Sequence, residues 1–271
     1  MNFLVSLKGP QLSKNEAFLL EKPNVLGVVL YGKNILSVNT TLKLIKQIKG
    51  VKKGLKICVD EEGGLVSRFS HLFPSYSQPY CTTINIRKAK EHYKKRAGFL
   101  KTMGIDINFA PVVDISSDEM SFMYKRSYGA DIEKIIELSR ICVQEQSEAE
   151  ISSCIKHFPG HGRTKIDSHQ ETPIINVSLE EWGKNEGKIF QALINLNIEY
   201  IMVSHLLYPK VDNKIAPTSD FWIKHILQDK LGFKGKVVID DICMRGASCY
   251  SDKISHIKGD LCIVTNQKLI P

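Results

Sequence analysis

Short runs of consecutive apolar residues alternate along this chain with longer stretches in which apolar positions recur every three to four residues. The runs Phe3–Leu7, Leu26–Leu30, Leu55–Val59, Asp106–Pro111, Ser152–His157, Tyr200–Ser204, Lys236–Ile239 and Leu261–Val264 are predicted strands. The stretches 37–49, 86–103, 131–149, 178–196 and 219–231 are predicted amphipathic helices. Most of the runs are continuously apolar, as strands of a parallel sheet are when both faces are covered. Eight such strands alternating with helices predict an α/β fold, a TIM-like (β/α)8 barrel forming a single domain over residues 1–271. The chain stops at Pro271, soon after the eighth strand. A shortened C-terminal end is therefore expected, with little left for a final covering helix. Apolar surface on the first and last strands would then favour self-association, so a monomer or weak homodimer is expected.

Composition adds exclusions. The 271 residues are 43% apolar and 24% charged, which rules out disordered and fibrous classes. No apolar run approaches the ~20 residues of a membrane span. The opening MNFLVSLKGPQLSKNE lacks the apolar core and cleavage site of a secretory signal. Cysteines at 58, 81, 142, 154, 243, 249 and 262 are scattered and form no C-x-x-C. They read as reduced thiols of a cytoplasmic protein. The net charge of +8 comes largely from lysine clusters at 43–56 and 87–96. Apolar Leu42, Leu44, Ile45 and Ile48 recur at helical spacing between the first set of lysines, so these lysines read as a solvated helix face. Neither a nucleic acid nor a membrane is expected as a partner, although a modest pull on anionic substrates remains.

In parallel barrels chemistry gathers at the C-terminal strand ends. Here those ends are polar: Asp60-Glu61-Glu62, Asn108 followed by Asp114, Lys156-His157, Ser204-His205 and Asp240-Asp241. Convergence on one pocket explains them more simply than separate ion pairs around the rim. The loop KHFPGHGRTKIDSHQETP at 156–173 carries His157, His161, Asp167 and His169. Three readings stay open there: a metal site, an acid/base pair, and a solvated loop. Pro159, Gly160 and Gly162 oppose a helical zinc pair, whereas a carboxylate two residues from an imidazole suits proton transfer. At Asp240-Asp241, strand alternation sends only one side chain to the axis. The inward carboxylate is a candidate nucleophile. The other caps the next turn or pairs with a base such as Arg245, and two adjacent carboxylates also fit substrate-assisted hydrolysis of an N-acetyl sugar.

These segments resemble family 3 glycoside hydrolases, most closely the bacterial single-domain β-N-acetylglucosaminidases of NagZ type. The resemblance rests on KHFPGHG at 156–162 followed by Asp167-Ser168-His169, on VDEEGGLVSRF at 59–69, GIDINFAPVVDI at 104–115, RSYGAD at 126–131 and LGFKGKVVIDDICMRGA at 231–247, and on LGVVLYGKNI at 27–36. It covers essentially the whole chain. It implies a barrel that releases terminal N-acetylglucosamine from cell-wall fragments in the cytoplasm during peptidoglycan recycling, with retention and without a metal or organic cofactor. Such fragments end chiefly in 1,6-anhydro-N-acetylmuramic acid. By the same resemblance Asp240 is the nucleophile, His169 the acid/base and Asp167 its orienting partner. The sugar-binding positions fall on Asp60, Arg68, Arg126, Lys156 and His157, with Asp60 a double acceptor and His157 a neutral donor. The Gly160/Gly162 pair would let the loop open and close.

Several positions depart from the pattern. Leu65 stands where Arg usually follows the Gly-Gly, Ser6 where the first strand is usually acidic, and Tyr124-Lys125 where Gly-Asp or Gly-Asn usually precedes Arg126. Tyr124 and Lys125 are expected to reshape the sugar pocket. The rival readings are a β-glycosidase of other specificity, a phosphorylase, and an inactive sugar-binding member.

Overall fold

In the computed structural model, which describes residues 1–168, 170–247 and 254–270, the strands and helices alternate from end to end. They are β1 (Asn2–Ser6), α1 (Lys14–Glu21), β2 (Val25–Leu30), α2 (Val38–Val51), β3 (Lys56–Val59), β4 (Glu61–Gly63), β5 (Val66–Ser67), α3 (Gln78–Cys81), α4 (Ile86–Thr102), β6 (Ile107–Asn108), α5 (Ile132–Glu148), β7 (Ser152–Phe158), α6 (Leu179–Lys184), α7 (Glu186–Ile194), β8 (Tyr200–Val203), β9 (Lys236–Ile239) and β10 (Leu261–Val264). A helical segment of π-type winding, Phe221–Lys230, precedes β9. Eight parallel strands run β1-β2-β3-β6-β7-β8-β9-β10, and β10 pairs back onto β1 to close the barrel. The predicted barrel is therefore present. The short β4–β5 hairpin stands apart, directly after β3.

Strand alternation sorts the apolar runs into two cores. Leu4, Val29, Cys58, Cys154, Met202, Val238 and Ile263 point inward and pack together as the plug of the barrel. Their neighbours Val5, Val28, Ile57, Ile155, Val203 and Val237 point outward into the layer beneath the helices. This two-sided burial is why the runs read as continuously apolar. Two residues beyond the inward plug positions the same phase recurs, at Tyr31, Asp60, Lys156, Asp240 and Thr265. All five line one cleft. The apolar plug thus forms the floor of a polar layer at the C-terminal end.

β7 departs from simple alternation. Ile155 pairs with Ile201 but Phe158 with Val203, so β7 carries one extra residue. A bulge of this kind re-aims side chains. It lets both Lys156 and His157 address the cleft while Phe158 returns to the outer core. β6 is shorter than the predicted run 106–111. Side chains take over: Asn108 donates to the Glu61 carbonyl at 3.1 Å and accepts from the Glu61 N–H at 3.0 Å.

The helices follow their amphipathic patterns. On α2, Leu44, Ile45 and Ile48 are buried and Lys43, Lys46 and Lys49 are exposed, as expected of a solvated lysine face. Arg96 on α4 is the exception within its cluster. It is buried, donates to the Glu62 carbonyl at 2.9 Å and lies against the Tyr93 ring. The predicted helix 178–196 breaks at Asn185, whose backbone leaves the helical region at φ −114°, ψ −92°. The break turns Trp182 and Phe190 onto Phe158 at centroid distances of 6.0 and 5.1 Å. Trp222 closes this cluster at 5.1 Å from Trp182. Phe190→Ala should cost about 3–5 kcal/mol by removing ring contacts and leaving a cavity. A urea-unfolding midpoint unchanged by this substitution would show that the cluster does not support β7.

Candidate active site

The cleft above the plug has a volume of about 310 Å3 and gathers Asp60, Arg68, Arg126, Lys156, His157 and Asp240. Five of the six are the predicted sugar-binding residues, and the sixth is the predicted nucleophile. Of the two remaining predicted residues, Asp167 lies on the long loop, whose next residue, Ser168, lines the cleft. The Gln170 N–H donates to the Asp167 carbonyl at 2.9 Å. His169 lies outside the described residues.

The cleft is organised around a carboxylate that the strand-end reading named only within the run Asp60-Glu61-Glu62, without a role. Glu62 is 1% exposed and accepts two bonds from Arg126, Nε to Oε2 at 2.9 Å and Nη2 to Oε1 at 2.7 Å. Lys156 Nζ lies 2.6 Å from the same Oε1 and donates to Asp60 Oδ1 at 2.7 Å. Arg68 Nη2 stands 3.6 Å from Asp60 Oδ2 and its guanidinium lies over the Tyr31 ring. Burial opposes ionisation of Glu62, but Lys156 and Arg126 outweigh it and hold its carboxyl well below the usual range. Burial likewise opposes charge on Lys156, and Asp60 and Glu62 keep it protonated with a raised pKa. The bond-rich carboxylates therefore fix two cations whose remaining donors face the cleft.

His157 is set by Asp114, which comes from the loop after β6. Asp114 Oδ2 lies 2.6 Å from His157 Nδ1, and Asp114 Oδ1 accepts from the His161 N–H at 2.6 Å. Burial raises the Asp114 pKa, and the two imidazoles bring it below its ordinary value. The Asp114 contact at Nδ1 leaves Nε2 as the polar atom that the His157 ring turns to Arg126. Arg126 Nη2 stands 3.5 Å from that atom. His161 is fully buried, and burial draws its pKa down to about 4, so it is a neutral packing residue near pH 7.

Asp240 and Asp241 take different roles. The Asp240 carboxylate faces the cleft, with Oδ1 accepting from the Asp241 N–H at 2.8 Å. Burial would raise its pKa, but His205, His157, the Asp241 N–H and Lys156 lower it, so the group is ionised. Asp241 is committed to structure. Its Oδ1 accepts from the Cys243 and Thr265 N–H groups at 3.0 and 3.1 Å, and its Oδ2 from Thr265 Oγ1 at 2.5 Å. It caps the turn and ties β9 to β10, rather than pairing with Arg245.

The loop base is rigid. Trp182 Nε1 donates to the Pro159 carbonyl at 2.7 Å and the Tyr208 hydroxyl to the Gly160 carbonyl at 2.6 Å. Arg163 Nε donates to Glu186 at 2.5 Å and its Nη1 to Glu181 at 2.6 Å. Ser121 Oγ reaches both the Gly162 and Thr164 carbonyls at 3.0 Å. A Cβ on Gly162 would sit 1.9 Å from the Ile115 carbonyl oxygen, and one on Gly160 would sit 2.7 Å from Glu186 Cγ. These glycines serve close packing and, at Gly160, a φ of +136°, which corrects their expected role as hinges. Tyr124 and Lys125 also differ from expectation, because they line a neighbouring cavity and not this cleft.

Glu62 lies one alternation beyond Asp60, so extending the period-two pattern through the hairpin would have found it. Asp114 had no such signal, since a loop carries it in.

A family model described as the glycosyl hydrolase family 3 N terminal domain matches residues 3–259. A β-hexosaminidase of Haemophilus influenzae is 34% identical over an alignment of 281 residues, covering 98% of this chain and 80% of that protein. One of Actinobacillus succinogenes is 35% identical over 262 residues, covering 93% and 75%. The crystal structure of native NagZ from Neisseria gonorrhoeae superposes with a TM-score of 0.88 at 27% identity, covering 98% of this chain and 81% of that one. A second structure of that protein, in complex with N-trifluoroacetyl-D-glucosamine, also gives 0.88 at 27%, covering 98% and 82%.

Two predictions come from this geometry. Glu62→Gln should lower kcat/KM by roughly 10- to 100-fold by releasing Lys156 and Arg126. Because the folded pKa of Glu62 lies below its ordinary 4.5, the charge contributes stability above that pH and loses it as the pH falls. Urea stability of the wild type should therefore decline below about pH 4.5, and the Gln variant should decline less steeply. Equal slopes would place the proton linkage elsewhere. Gly162→Ala should destabilise by about 1–3 kcal/mol or more, read as a lowered Tm, because its methyl meets a backbone carbonyl. A variant as stable as wild type would restore the hinge reading.

Proposed function

The chain belongs to glycosyl hydrolase family 3 and is a glycosidase of the β-hexosaminidase kind, and we propose that it removes terminal β-linked N-acetylglucosamine with retention, using Asp240 as nucleophile. The observation that carries this reading is the ionised Asp240 carboxylate, one oxygen held by the Asp241 N–H, at the edge of a cleft lined with sugar-binding donors and acceptors. N-trifluoroacetyl-D-glucosamine in the Neisseria relative supports a pocket for an N-acylated sugar.

In this mechanism an Asp240 oxygen bonds to the anomeric carbon as the glycosidic bond breaks through an oxocarbenium-like transition state. Protonated His169, oriented by Asp167, delivers its proton to the departing oxygen. Neutral His169 then takes a proton from water, the water oxygen bonds to the anomeric carbon, and the Asp240 ester bond breaks. An imidazole suits both halves because its unperturbed pKa, ~6.5, lies near working pH. Asp60, Arg68, Lys156, Arg126 and His157 hold the sugar hydroxyls and the acetamido group. Substrate assistance is the weaker alternative, since the carboxylate that would orient the acetamide, Asp241, already accepts three bonds.

The substrate we propose is a peptidoglycan fragment in which N-acetylglucosamine caps a 1,6-anhydro-N-acetylmuramic unit, cleaved in the cytoplasm during wall recycling. The bacterial β-hexosaminidase relatives support this. Among the described residues no helix is long and apolar enough to cross a membrane. The six described cysteines are free, as a reducing compartment would leave them.

The test is turnover of a chromogenic β-N-acetylglucosaminide by wild type, Asp240→Ala and His169→Ala, with intact-mass spectrometry after a slow fluorinated glycoside. Wild-type turnover should be lost in Asp240→Ala and reduced roughly 10²- to 10⁴-fold in His169→Ala. A covalent sugar should appear on Asp240. Activity surviving in Asp240→Ala, or a requirement for Asp241 without any adduct, would overturn the mechanism. A sugar phosphate product in added phosphate would make the enzyme a phosphorylase.

A further inference from the structure

α4 and the segment 73–84 that precedes it enclose a cavity of about 400 Å3, which shares no residue with the reaction cleft. Its floor is aromatic. The Tyr76 ring stacks on His92 at a centroid distance of 4.5 Å, with 23° between the planes, and Tyr80 meets Tyr76 edge to face at 4.8 Å. Tyr76 and Tyr80 are 46% and 47% exposed, so these rings are offered to the cavity and not to the core. His92 is buried beneath them. Burial, with Arg96 and Lys95 nearby, draws its pKa down to about 3, so the ring is a neutral flat surface near pH 7. Its Nε2 has no hydrogen-bond partner among the described residues, which brings an unmet polar atom to the cavity wall.

The floor is built in advance of any ligand. The Gly64 N–H donates to the Ser75 carbonyl at 3.3 Å, and a Cβ on Gly63 would stand 2.0 Å from the Tyr76 carbonyl oxygen. The backbone under Tyr76 is thereby packed against the β4–β5 hairpin. One residue further on, Ser77 Oγ caps α3 by accepting from the Tyr80 N–H at 3.2 Å. Rings fixed in this way lose little freedom when something stacks on them.

The rim draws on the lysine cluster at 87–96. Arg87 pairs with Glu91 at 3.3 Å, Lys90 pairs with Glu145 at 3.4 Å, and Arg96 is buried. Lys88 and Lys95 line the cavity, are exposed and make no ion pair among the described residues. Seven residues apart on α4, they share one helix face, about 10 Å from each other along the axis. The acid between them, Glu91, is the one already paired with Arg87. A flat apolar surface and two uncompensated cations thus meet in one concave site of small-molecule size.

We propose that this cavity binds a nucleotide-class ligand, a planar base carrying a phosphate, with the base on Tyr76 and Tyr80 and the phosphate between Lys88 and Lys95. Stacking on an aromatic ring tolerates any base, so the class is assigned and not the base. A closed pocket suits one small molecule, whereas a strand of nucleic acid needs a basic groove that tracks its backbone. The site is independent of the reaction assigned to the cleft.

The experiment is calorimetric titration of the full chain with adenosine monophosphate, adenosine and inorganic phosphate. The nucleotide should bind wild type with a Kd below about 1 mM, and adenosine or phosphate at least about tenfold more weakly. Tyr76→Leu, which keeps apolar bulk but removes the ring, and the double variant Lys88→Glu, Lys95→Glu should each weaken nucleotide binding by roughly tenfold or more. The lysine positions are exposed, so the double variant keeps the test open if Tyr76→Leu does not fold. Saturating N-acetylglucosamine should leave the nucleotide affinity unchanged. No heat with the nucleotide at millimolar concentration, phosphate alone binding as tightly, affinity untouched by the lysine variant, or displacement by the sugar would each overturn the site.

Discussion

Everything at the mouth of this barrel depends on how the Glu62 carboxylate is shared between Arg126 and Lys156. Three charges lie almost wholly out of water, an arrangement that costs several kcal/mol per ion unless each is paired and hydrogen-bonded. Here each is: Glu62 takes two bonds from Arg126 and a close contact from Lys156, and Lys156 also reaches Asp60. Removing the acid would strand two cations. The same residue is tied into the scaffold through its backbone, where buried Arg96 of α4 holds its carbonyl. The β4–β5 hairpin is pinned again by Glu61, whose carboxylate accepts from Ser67 Oγ and the Arg68 N–H at 2.6 and 2.8 Å. A helix on the outside of the barrel thereby fixes donors on the inside. Positioning of this kind lets a sugar be held without reorganising charge during reaction.

The strand period explains how much of this was legible in the sequence. Cys58, Cys154 and Val238 are plug residues, and Asp60, Lys156 and Asp240 follow each by two. A reader who trusts alternation can place these three charged groups in one layer from the sequence alone, and can separate Asp240 from Asp241. The same argument sends the Asp241 carboxylate away from the axis, where it accepts from Cys243 and Thr265, although the residue still borders the cleft. What alternation cannot supply is anything carried by a loop or changed by an irregularity. Asp114 arrives from a stretch with no period, and His157 reaches the cleft because β7 holds one residue more than its partner. The break at Asn185 was hidden because α6 and α7 each keep their own helical spacing. The two glycines of the long loop read as freedom, when what they supply is absence of a side chain beside Ile115 and Glu186.

That last distinction bears on how catalysis and binding are divided. The proposed sugar-holding groups sit on strand ends and on a hairpin braced by buried ion pairs, so their mutual distances are set by the barrel. The proposed acid/base sits on the loop after β7, which is clamped as far as Thr164 by Trp182, Tyr208, Ser121 and the Arg163–Glu186 pair. Beyond that point Lys165 pairs with Asp118 at 3.2 Å, the Gly246 N–H donates to the Ser168 carbonyl at 2.9 Å, and Thr172 Oγ1 donates to the Gly246 carbonyl. Gly246 can serve both strands of the loop because a side chain there would meet the Ser168 carbonyl oxygen at 2.6 Å. The loop is thus tied at its far end to the segment after Asp240, the proposed nucleophile's own strand. A clamped arm followed by a span hydrogen-bonded to that segment holds the loop beside the strand that carries Asp240.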